Sequence, residues 1–138
     1  MKRVLFISTA IPNLKHSDIK SILTASKVNT QQSSVTGIFI YDEVHFIDCL
    51  EGDGDIVDEM LQRIKEDKRH YDIKILGEKE ISERCFEQWN IAFLNSTKKT
   101  VETFVKVLGA TYIDKKTLTY EKAIKLIKTL HEENLLVL

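Results

Sequence analysis

The sequence predicts an α+β fold of the ferredoxin-like kind, with the element order βαββαββ, and three observations carry that prediction. Short apolar runs of β-favouring residues alternate with segments whose apolar residues recur at helical spacing. Two of the runs flank a polar pair, Asp42 and Glu43, which indicates a hairpin. Two further helical segments follow the last run. We therefore expect two helices on one face of a mostly antiparallel sheet and two C-terminal helices capping the other face.

The composition is that of an ordinary globular protein. The chain has 138 residues, of which 43% are hydrophobic and 30% charged, so one domain with a substantial core is expected. The formal net charge is -1. Because neither sign dominates, this balance gives no reason to expect nucleic acid or an anionic membrane as a partner.

The N-terminus and the cysteines indicate the compartment. Only about six apolar residues follow the first basic pair, too few for the apolar region of a signal peptide. No run approaches the ~20 apolar residues of a membrane span. Cys49 and Cys85 are too few for a disulfide framework and are interpreted as reduced thiols. These features predict a cytoplasmic protein.

The N-terminal part predicts a buried strand and then a helix. Residues 3–8 (RVLFIS) form an apolar run that is typical of a strand covered on both faces. Pro12 and Asn13 mark a turn, after which Ser17 and Asp18 can cap a helix. The apolar stripe of that helix is Ile19, Ile22, Leu23 and either Ala25 or Ser26.

The next segment predicts the hairpin and a second helix. The apolar residues of the two strands are Ile38, Ile40, Val44, Phe46, Cys49 and Leu50. Asp53 is the predicted N-cap, and Asp55 places negative charge in the first helical turn. The buried stripe of the helix is Ile56, Val57, Met60, Leu61 and Ile64. The polar cluster at residues 67–70, where the helix ends, is either a ligand site or a solvated cap.

The C-terminal half predicts two more strands and two helices. Alternation predicts strands at residues 71–75 and 89–94, with an irregular turn at 82–86. The helical stripes are Val101, Phe104, Val105 and Leu108, ended by Gly109, and then Tyr120, Ala123, Ile124, Ile127 and Leu130. These helices need an apolar surface, which is either the second face of the sheet or a second copy of the chain. The apolar residues 135–138 suggest docking or an oligomer contact.

Most familiar catalytic and metal-binding motifs are absent from the sequence. It has no phosphate-binding loop, no Cys-x-x-Cys and no histidine pair at metal-ligand spacing, so no metal site is expected. Glu51 is interpreted either as a general base or, more in keeping with its Gly-Asp surroundings, as a turn former. The middle strands carry acids where an RNA-recognition sheet needs stacking aromatics flanked by basic residues. An acylphosphatase-like enzyme would need a phosphate loop after the first strand, so no enzymatic activity is expected.

Five collinear segments carry a resemblance to a known family. They are RVLFISTA, SKVNTQQSSVTGIFIY, FIDCLEG, DKRH and RCFEQWNIAF, in order between residues 3 and 93. With these segments the chain resembles the BLUF family, the blue-light sensors that use FAD. The resemblance implies a flavin-binding domain at residues 1–95 and a C-terminal helical cap at residues 96–138, both parts of one globular unit.

The resemblance also implies the cofactor and the residues around its ring. FAD would lie between the first two helices, with the edge of its ring facing the strands. By position, Asn29 would hydrogen-bond the polar edge of the ring, because an amide matches its alternating donors and acceptors. Ile22 and Leu23 would form the apolar wall that such a ring requires.

At the other end of the cofactor the resemblance implies basic residues. Lys27 and Arg69 would approach the pyrophosphate or the ribitol, and His70 would lie near the same end. Cations suit phosphate groups, so these roles are physically reasonable. The alternative for Arg69 and His70 is a C-cap pair that interacts with the helix dipole.

Four positions depart from the family, one of them Ile91 in place of the methionine after the tryptophan. In its photochemistry a tyrosine on the first strand gives an electron and a proton to the excited flavin, and a glutamine on the third strand then rearranges its hydrogen bonds. This chain has Phe6 at the tyrosine position, Asp48 at the glutamine position and Thr30 in place of a second asparagine. Phenylalanine has no hydroxyl proton, and an ionised aspartate is only an acceptor. Buried beside the ring, Asp48 would need to be protonated or paired.

The sequence therefore predicts an FAD-binding blue-light sensory protein, not an enzyme, whose normal photocycle is absent or strongly altered. Trp89, or Tyr41 if it faced the ring, could donate an electron, but neither restores the missing pair. The output would pass through the C-terminal helices to an unidentified protein partner or to a homo-oligomer contact. The alternative is a flavin-free protein of the same fold that serves as an interaction module. Cys49 is expected on the sheet face opposite to Asp48, under the terminal helices.

Overall fold

The computed structural model describes residues 1–15, 17–19, 21, 34–94 and 97–137, and for residues 89–91 only the backbone. The strands in these ranges are β1 (Lys2–Ala10), β2 (Thr36–Tyr41), β3 (His45–Gly52), β4 (His70–Glu80), β5 (Trp89–Leu94) and β6 (Leu136–Val137). The helices are α1 (Gly54–Glu66), α2 (Lys98–Leu108) and α3 (Tyr120–Glu132). Within the described ranges no helix has the length and apolar character needed to cross a bilayer.

The strands form one sheet in the order β4-β1-β3-β2-β5-β6. Neighbouring strands are antiparallel except β2 and β5, which are parallel. The predicted α+β arrangement with a mostly antiparallel sheet is confirmed. The prediction ended β4 at residue 75, but the strand continues to Glu80 along the sheet edge. It also lacked β6, which pairs with Phe93 and Leu94, so the apolar C-terminus docks on the chain's own sheet.

Each face of the sheet carries its own apolar core. We call the face covered by α1 the α1 face; its buried residues include Val4, Phe6, Phe39, Phe46, Leu50, Val57, Met60 and Leu61. We call the opposite face the cap face, because α2 and α3 cover it; its buried residues include Leu5, Ile7, Ile38, Ile47, Cys49, Phe104, Leu126 and Ile127. The predicted capping of the second face by the terminal helices is confirmed. Cys49 lies fully buried on the cap face, as strand alternation predicted.

Side-chain caps define the ends of the helices. The carboxylate of Asp53 accepts the backbone N–H of Asp55 at 3.1 Å and begins α1, as predicted. Thr97 and Thr119 cap α2 and α3 in the same way. Gly109 ends α2, also as predicted, because its φ of 72° is a left-handed conformation that glycine adopts without a Cβ clash.

The turn of the β2–β3 hairpin is longer than predicted. It spans residues 42–44, with Glu43 in the left-handed region at φ 77°. The carboxylate of Asp42 accepts the backbone N–H groups of Val44 (2.9 Å) and His45. Val44 was predicted to be a strand residue, and that prediction is wrong, because β3 begins at His45 and the Val44 N–H donates to the Asp42 carboxylate instead of to a neighbouring strand. Val44 is 55% exposed.

Glu51 is the last but one residue of β3 and not part of a turn, so its interpretation as a turn former is wrong. Its fully buried carboxylate forms an ion pair with Arg3 at 2.8 Å. It also accepts the backbone N–H groups of Cys85 (2.9 Å) and Phe86 (2.8 Å). These partners occupy the carboxylate and fix the loop between β4 and β5 to the sheet, which leaves Glu51 no role as a general base.

Little of the first predicted helix lies within the described residues. Residues 17–19 and 21 are helical, and Ile19 is fully buried on the α1 face, as its place in the predicted stripe requires. The carboxylate of Asp18 accepts the backbone N–H of Lys15 at 3.0 Å. The remainder of the predicted helix lies outside the described residues.

Candidate functional site

Three side chains form a row across the centre of the α1 face. Asp48 on β3 is directly opposite Phe6 on β1 and Phe39 on β2. Residues opposed in this way project from the same face of a sheet. Phe6 and Asp48 have no exposed surface, and Phe39 is 6% exposed. A carboxyl group is thus placed between two phenyl rings under the helical layer.

Among the described residues nothing compensates the carboxyl group of Asp48 for the loss of its hydration. In the part of the chain that the structure describes, neither of its side-chain oxygens has a hydrogen-bond partner. Burial raises the pKa of Asp48 well above its ordinary value, because the charged form loses its hydration. A neutral carboxylic acid can donate one hydrogen bond and accept others. Asp48 can therefore bind a group that presents both an acceptor and a donor.

The adjoining row of the α1 face is aromatic. Phe46 is opposite Ser8 and Tyr41. The Phe46 ring lies 4.8 Å from the Phe39 ring and 5.0 Å from the Tyr41 ring, between centroids. The Tyr41 hydroxyl donates to the backbone carbonyl of Glu43 at 3.4 Å, and burial raises the pKa of this phenol. Tyr41 thus faces the same side as Asp48, but its hydroxyl is directed to the hairpin turn.

His70 connects this second row to the end of α1. Its Nδ1 lies 2.7 Å from the Ser8 hydroxyl oxygen, and its Nε2 lies 2.6 Å from the Ile64 carbonyl oxygen. The consistent assignment has Nε2–H donating to the carbonyl and Nδ1 accepting from the hydroxyl. The imidazole therefore closes the last turn of α1, which agrees with the interpretation of His70 as a capping residue. The contribution of Ser8 had no signal in the sequence, since it depends on the approach of β1 to β4.

Arg69 is paired beside the same helix end. Its Nη2 lies 2.6 Å from Oδ2 of Asp67, and its Nε lies 2.9 Å from Oδ1. This pairing lowers the pKa of the Asp67 carboxyl and raises the pKa of the Arg69 guanidinium. Both side chains are partly exposed to solvent, so the positive charge of the Arg69 guanidinium is accessible to an anion that can compete with Asp67.

The structure brings four of the nine predicted site residues into one region. Phe6 and Asp48 form the central row, and His70 contacts Ser8 in the adjoining row, with Arg69 next to it in sequence. The other five predicted residues lie outside the described ranges: Ile22, Leu23, Lys27, Asn29 and Thr30. In the described ranges no cluster of three or more His, Cys, Asp or Glu side chains could hold a metal ion.

A link to the cap face starts from the residue after Ser8. Nζ of Lys115, in the loop between α2 and α3, donates to the Thr9 hydroxyl at 3.0 Å and pairs with the Asp72 carboxylate at 2.9 Å. Lys74 Nζ donates to the Lys115 carbonyl in the same loop at 3.1 Å. Neighbouring residues of β1 thus contact the α1 end on one face and the cap loop on the other. A cleft of about 540 Å³ lies beside this loop, on the side away from Asp48.

Comparison with known proteins agrees with the resemblance in the sequence. The family model for BLUF, the sensors of blue-light using FAD, matches residues 1–92. The chain is 31% identical over 101 residues to the photoactivated adenylate cyclase subunit beta of Euglena gracilis. It is 30% identical over 104 residues to the subunit beta-like protein ST- of the same organism. These matches cover 72% and 74% of this chain but only 11% and 12% of the relatives, so the chain spans about a tenth of their length.

Solved structures share the fold over nearly the whole chain. The photo-activated state of BlsA has a TM-score of 0.82 at 23% identity and covers 94% of this chain and 93% of its own. The dark-state structure of BlrB, a BLUF protein, has a TM-score of 0.76 at 22% identity, with 97% and 96% covered. Both matches extend beyond residue 92, so the terminal helices belong to the shared fold.

Proposed function

Because the chain belongs to the BLUF family of blue-light sensors, we propose that it is an FAD-binding sensory domain whose photochemistry differs from that of its relatives. The flavin ring would lie on the α1 face, against the row of Phe6, Asp48 and Phe39. When bound, flavin supplies absorption of blue light and the capacity to accept an electron. The chain itself would bind the ring, orient it and exclude water from it.

The observation that carries this proposal is the buried carboxyl of Asp48, which has no hydrogen-bond partner among the described residues. A fully buried polar group without a partner is costly and rare in folded proteins. The polar edge of a flavin ring has carbonyl acceptors and an N–H donor, which a neutral carboxylic acid complements. The described residues at this point therefore fit the edge of the ring: an acid for its polar groups, with a phenyl ring on either side of that acid. Asn29, Thr30, Ile22 and Leu23 would complete the site.

The phosphates would lie towards the end of α1. Lys27 and Arg69 are the proposed contacts, with His70 holding the helix end beside them. For Arg69 to bind a phosphate, the anion would have to replace or share Asp67, whose carboxylate lies 2.6 Å from the guanidinium. A bidentate guanidinium suits both carboxylate and phosphate, so such an exchange is chemically reasonable.

The altered photochemistry follows from the central row. Phe6 offers no hydroxyl, so it cannot supply the proton and electron that the family's tyrosine supplies. Asp48 has no amide group and its side chain is one methylene shorter than that of glutamine, so it does not reproduce the glutamine's rearrangement of hydrogen bonds. Tyr41 lies in the adjoining row with its hydroxyl directed to Glu43, which does not replace the missing donor. We therefore expect the family's light response to be absent or strongly altered.

The output would pass through the cap to a protein partner. The Ser8–His70 and Thr9–Lys115 contacts join the α1 face to the loop between α2 and α3. On the outer side of α2 two apolar side chains are exposed, Val101 (39%) and Val105 (49%). They suit a protein contact, either with a partner or with a second copy of the chain.

Flavin binding to the purified protein tests the proposal. We expect FAD added to flavin-free protein to bind in a one-to-one ratio, with a flavin absorption spectrum that stays with the protein on gel filtration. Asp48→Leu should weaken binding without unfolding the chain, because it replaces an uncompensated carboxyl by an apolar group of similar size. The matched control, Glu87→Gln on an exposed loop, should bind as the wild type does. If neither the wild type nor the variants bound FAD, the proposal would be wrong and the alternative, a flavin-free interaction module, would be favoured.

A further inference from the structure

We propose that Asp48 meets the flavin as a neutral carboxylic acid, and that this chain therefore releases flavin as the pH rises. The inference rests on the proposed function, since it concerns the same site. It goes further by assigning the protonation state of one residue and a pH dependence of binding. The fold alone implies neither property, because both depend on an aspartate at position 48.

Among the described residues, Asp48 lacks the usual means of stabilising an ionised carboxylate. Its side chain has no exposed surface, so water does not solvate it. Across the sheet its neighbours are Phe6 and Phe39, which offer no hydrogen bonds. No described N–H, hydroxyl or cation lies within hydrogen-bond distance of either carboxyl oxygen. A charge in such a place is far less stable than the neutral acid.

The other titratable groups on the α1 face that the structure describes do not change this conclusion. From β2, Tyr41 directs its hydroxyl to a carbonyl at the hairpin. From β4, His70 has both ring nitrogens occupied by Ser8 and the end of α1. From β1, Lys2 lies at the outer end of the strand and is paired with Asp58 of α1. The residues that α1 buries are apolar, and burial alone raises the pKa of Asp48.

The flavin edge distinguishes the two protonation states of Asp48. A carboxylate presents only acceptors, so it could accept the ring N–H but would face the carbonyl oxygens of the ring without a proton between them. A carboxylic acid presents one donor and one acceptor, which is the pattern of an amide. At low pH Asp48 thus offers the ring the same hydrogen-bonding groups as an asparagine, and at high pH its negative charge repels the ring's carbonyl oxygens. Asp48→Asn, which has nearly the same shape and no charge at any pH, is the matched comparison.

The test measures FAD affinity against pH. Three flavin-free proteins are titrated with FAD at pH values from mildly acidic to mildly alkaline: the wild type, Asp48→Asn and Glu87→Gln. Quenching of flavin fluorescence measures binding, and circular dichroism measures folding. The FAD affinity of the wild type should be constant at low pH. Above the pKa that Asp48 has in the folded, flavin-free chain, the affinity should fall by about tenfold per pH unit. Asp48→Asn should keep a constant affinity, and Glu87→Gln should follow the wild type.

A second measurement reads the proton itself. At a pH where exposed carboxyl groups are ionised, the infrared spectrum of the FAD-loaded wild type should contain the carbonyl stretch of a protonated carboxylic acid, and Asp48→Asn should remove it. Equal pH profiles for the wild type and Asp48→Asn, or a missing acid band, would overturn this inference while flavin binding itself stood. If neither the wild type nor Asp48→Asn bound FAD at any pH, the proposed function would be wrong, and this inference would be wrong with it.

Discussion

Phe6 and Asp48 are directly opposed residues of adjacent antiparallel strands, and both side chains are fully buried on the α1 face. One has an apolar ring and the other a carboxyl group without a partner in the described residues. This pairing has consequences for stability that can be measured without any cofactor. Under the proposed function, this pairing would also limit the light response of the protein.

Asp48 should make the stability of the flavin-free chain depend on pH. Below the ordinary carboxyl pKa of 3.8, both the native and the unfolded chain hold the proton. As the pH rises past this value the unfolded chain releases its proton while the native chain retains it, since burial raises the native pKa. The contribution of Asp48 to the free energy of unfolding should therefore fall by about 1.4 kcal/mol per pH unit until the native pKa is passed.

Asp48→Asn removes this contribution, so at neutral pH the variant should be more stable than the wild type. Urea unfolding at a series of pH values checks the prediction, and the difference between the two proteins should widen from acidic to neutral pH. Glu87→Gln serves as the exposed control and should track the wild type. Parallel stability curves for Asp48→Asn and the wild type would show that the carboxyl is not desolvated in the native state.

The buried ion pair between Arg3 and Glu51 should matter far more than a surface pair. Glu51→Gln leaves Arg3 without a counter-charge and brings an amide group against two backbone N–H donors. We expect a loss of about 3 to 5 kcal/mol in the free energy of unfolding. The control is Glu121→Gln, which breaks an exposed pair with Lys79 and should cost less than about 1 kcal/mol. Equal losses in urea unfolding would contradict the structural role of Glu51.

Gly37 should be irreplaceable in β2. A Cβ atom on this residue would lie 1.8 Å from the carbonyl oxygen of Cys49, and its φ of 150° is rarely adopted by other residues. We expect Gly37→Ala to cost more than about 4 kcal/mol or to prevent folding. Gly109→Ala is the matched control: nothing lies within 4 Å of its Cβ, and strain at its φ of 72° should cost about 1 kcal/mol. Thermal unfolding of both variants gives the comparison.

Local signals explain which parts of the fold could be predicted. Asp53 and Gly109 act on the chain next to them, so the start of α1 and the end of α2 could be predicted from the sequence. The full length of β4 could not be predicted, because residues 76–80 lie in an edge strand whose polar side chains do not show the apolar alternation of a strand. β6 has only two residues, too few for any periodicity.

The site shows the same division between local and distant contacts. The resemblance to the family predicted the importance of Phe6 and Asp48, and the structure places them opposite each other. The Asp67–Arg69 pair is local in sequence, so the DKR spacing could have indicated it. The bond between Ser8 and His70 joins residues far apart in the chain, so it requires the folded sheet.

The central claim is tested most directly by the absorption change of the FAD-loaded protein under blue light. We predict that the wild type shows no reversible red shift of the flavin band, because Phe6 and Asp48 replace the tyrosine and the glutamine that produce it in the family. The double variant Phe6→Tyr with Asp48→Gln, measured in the same way, should gain the shift. A reversible red shift in the wild type, of the size that the double variant shows, would contradict the account.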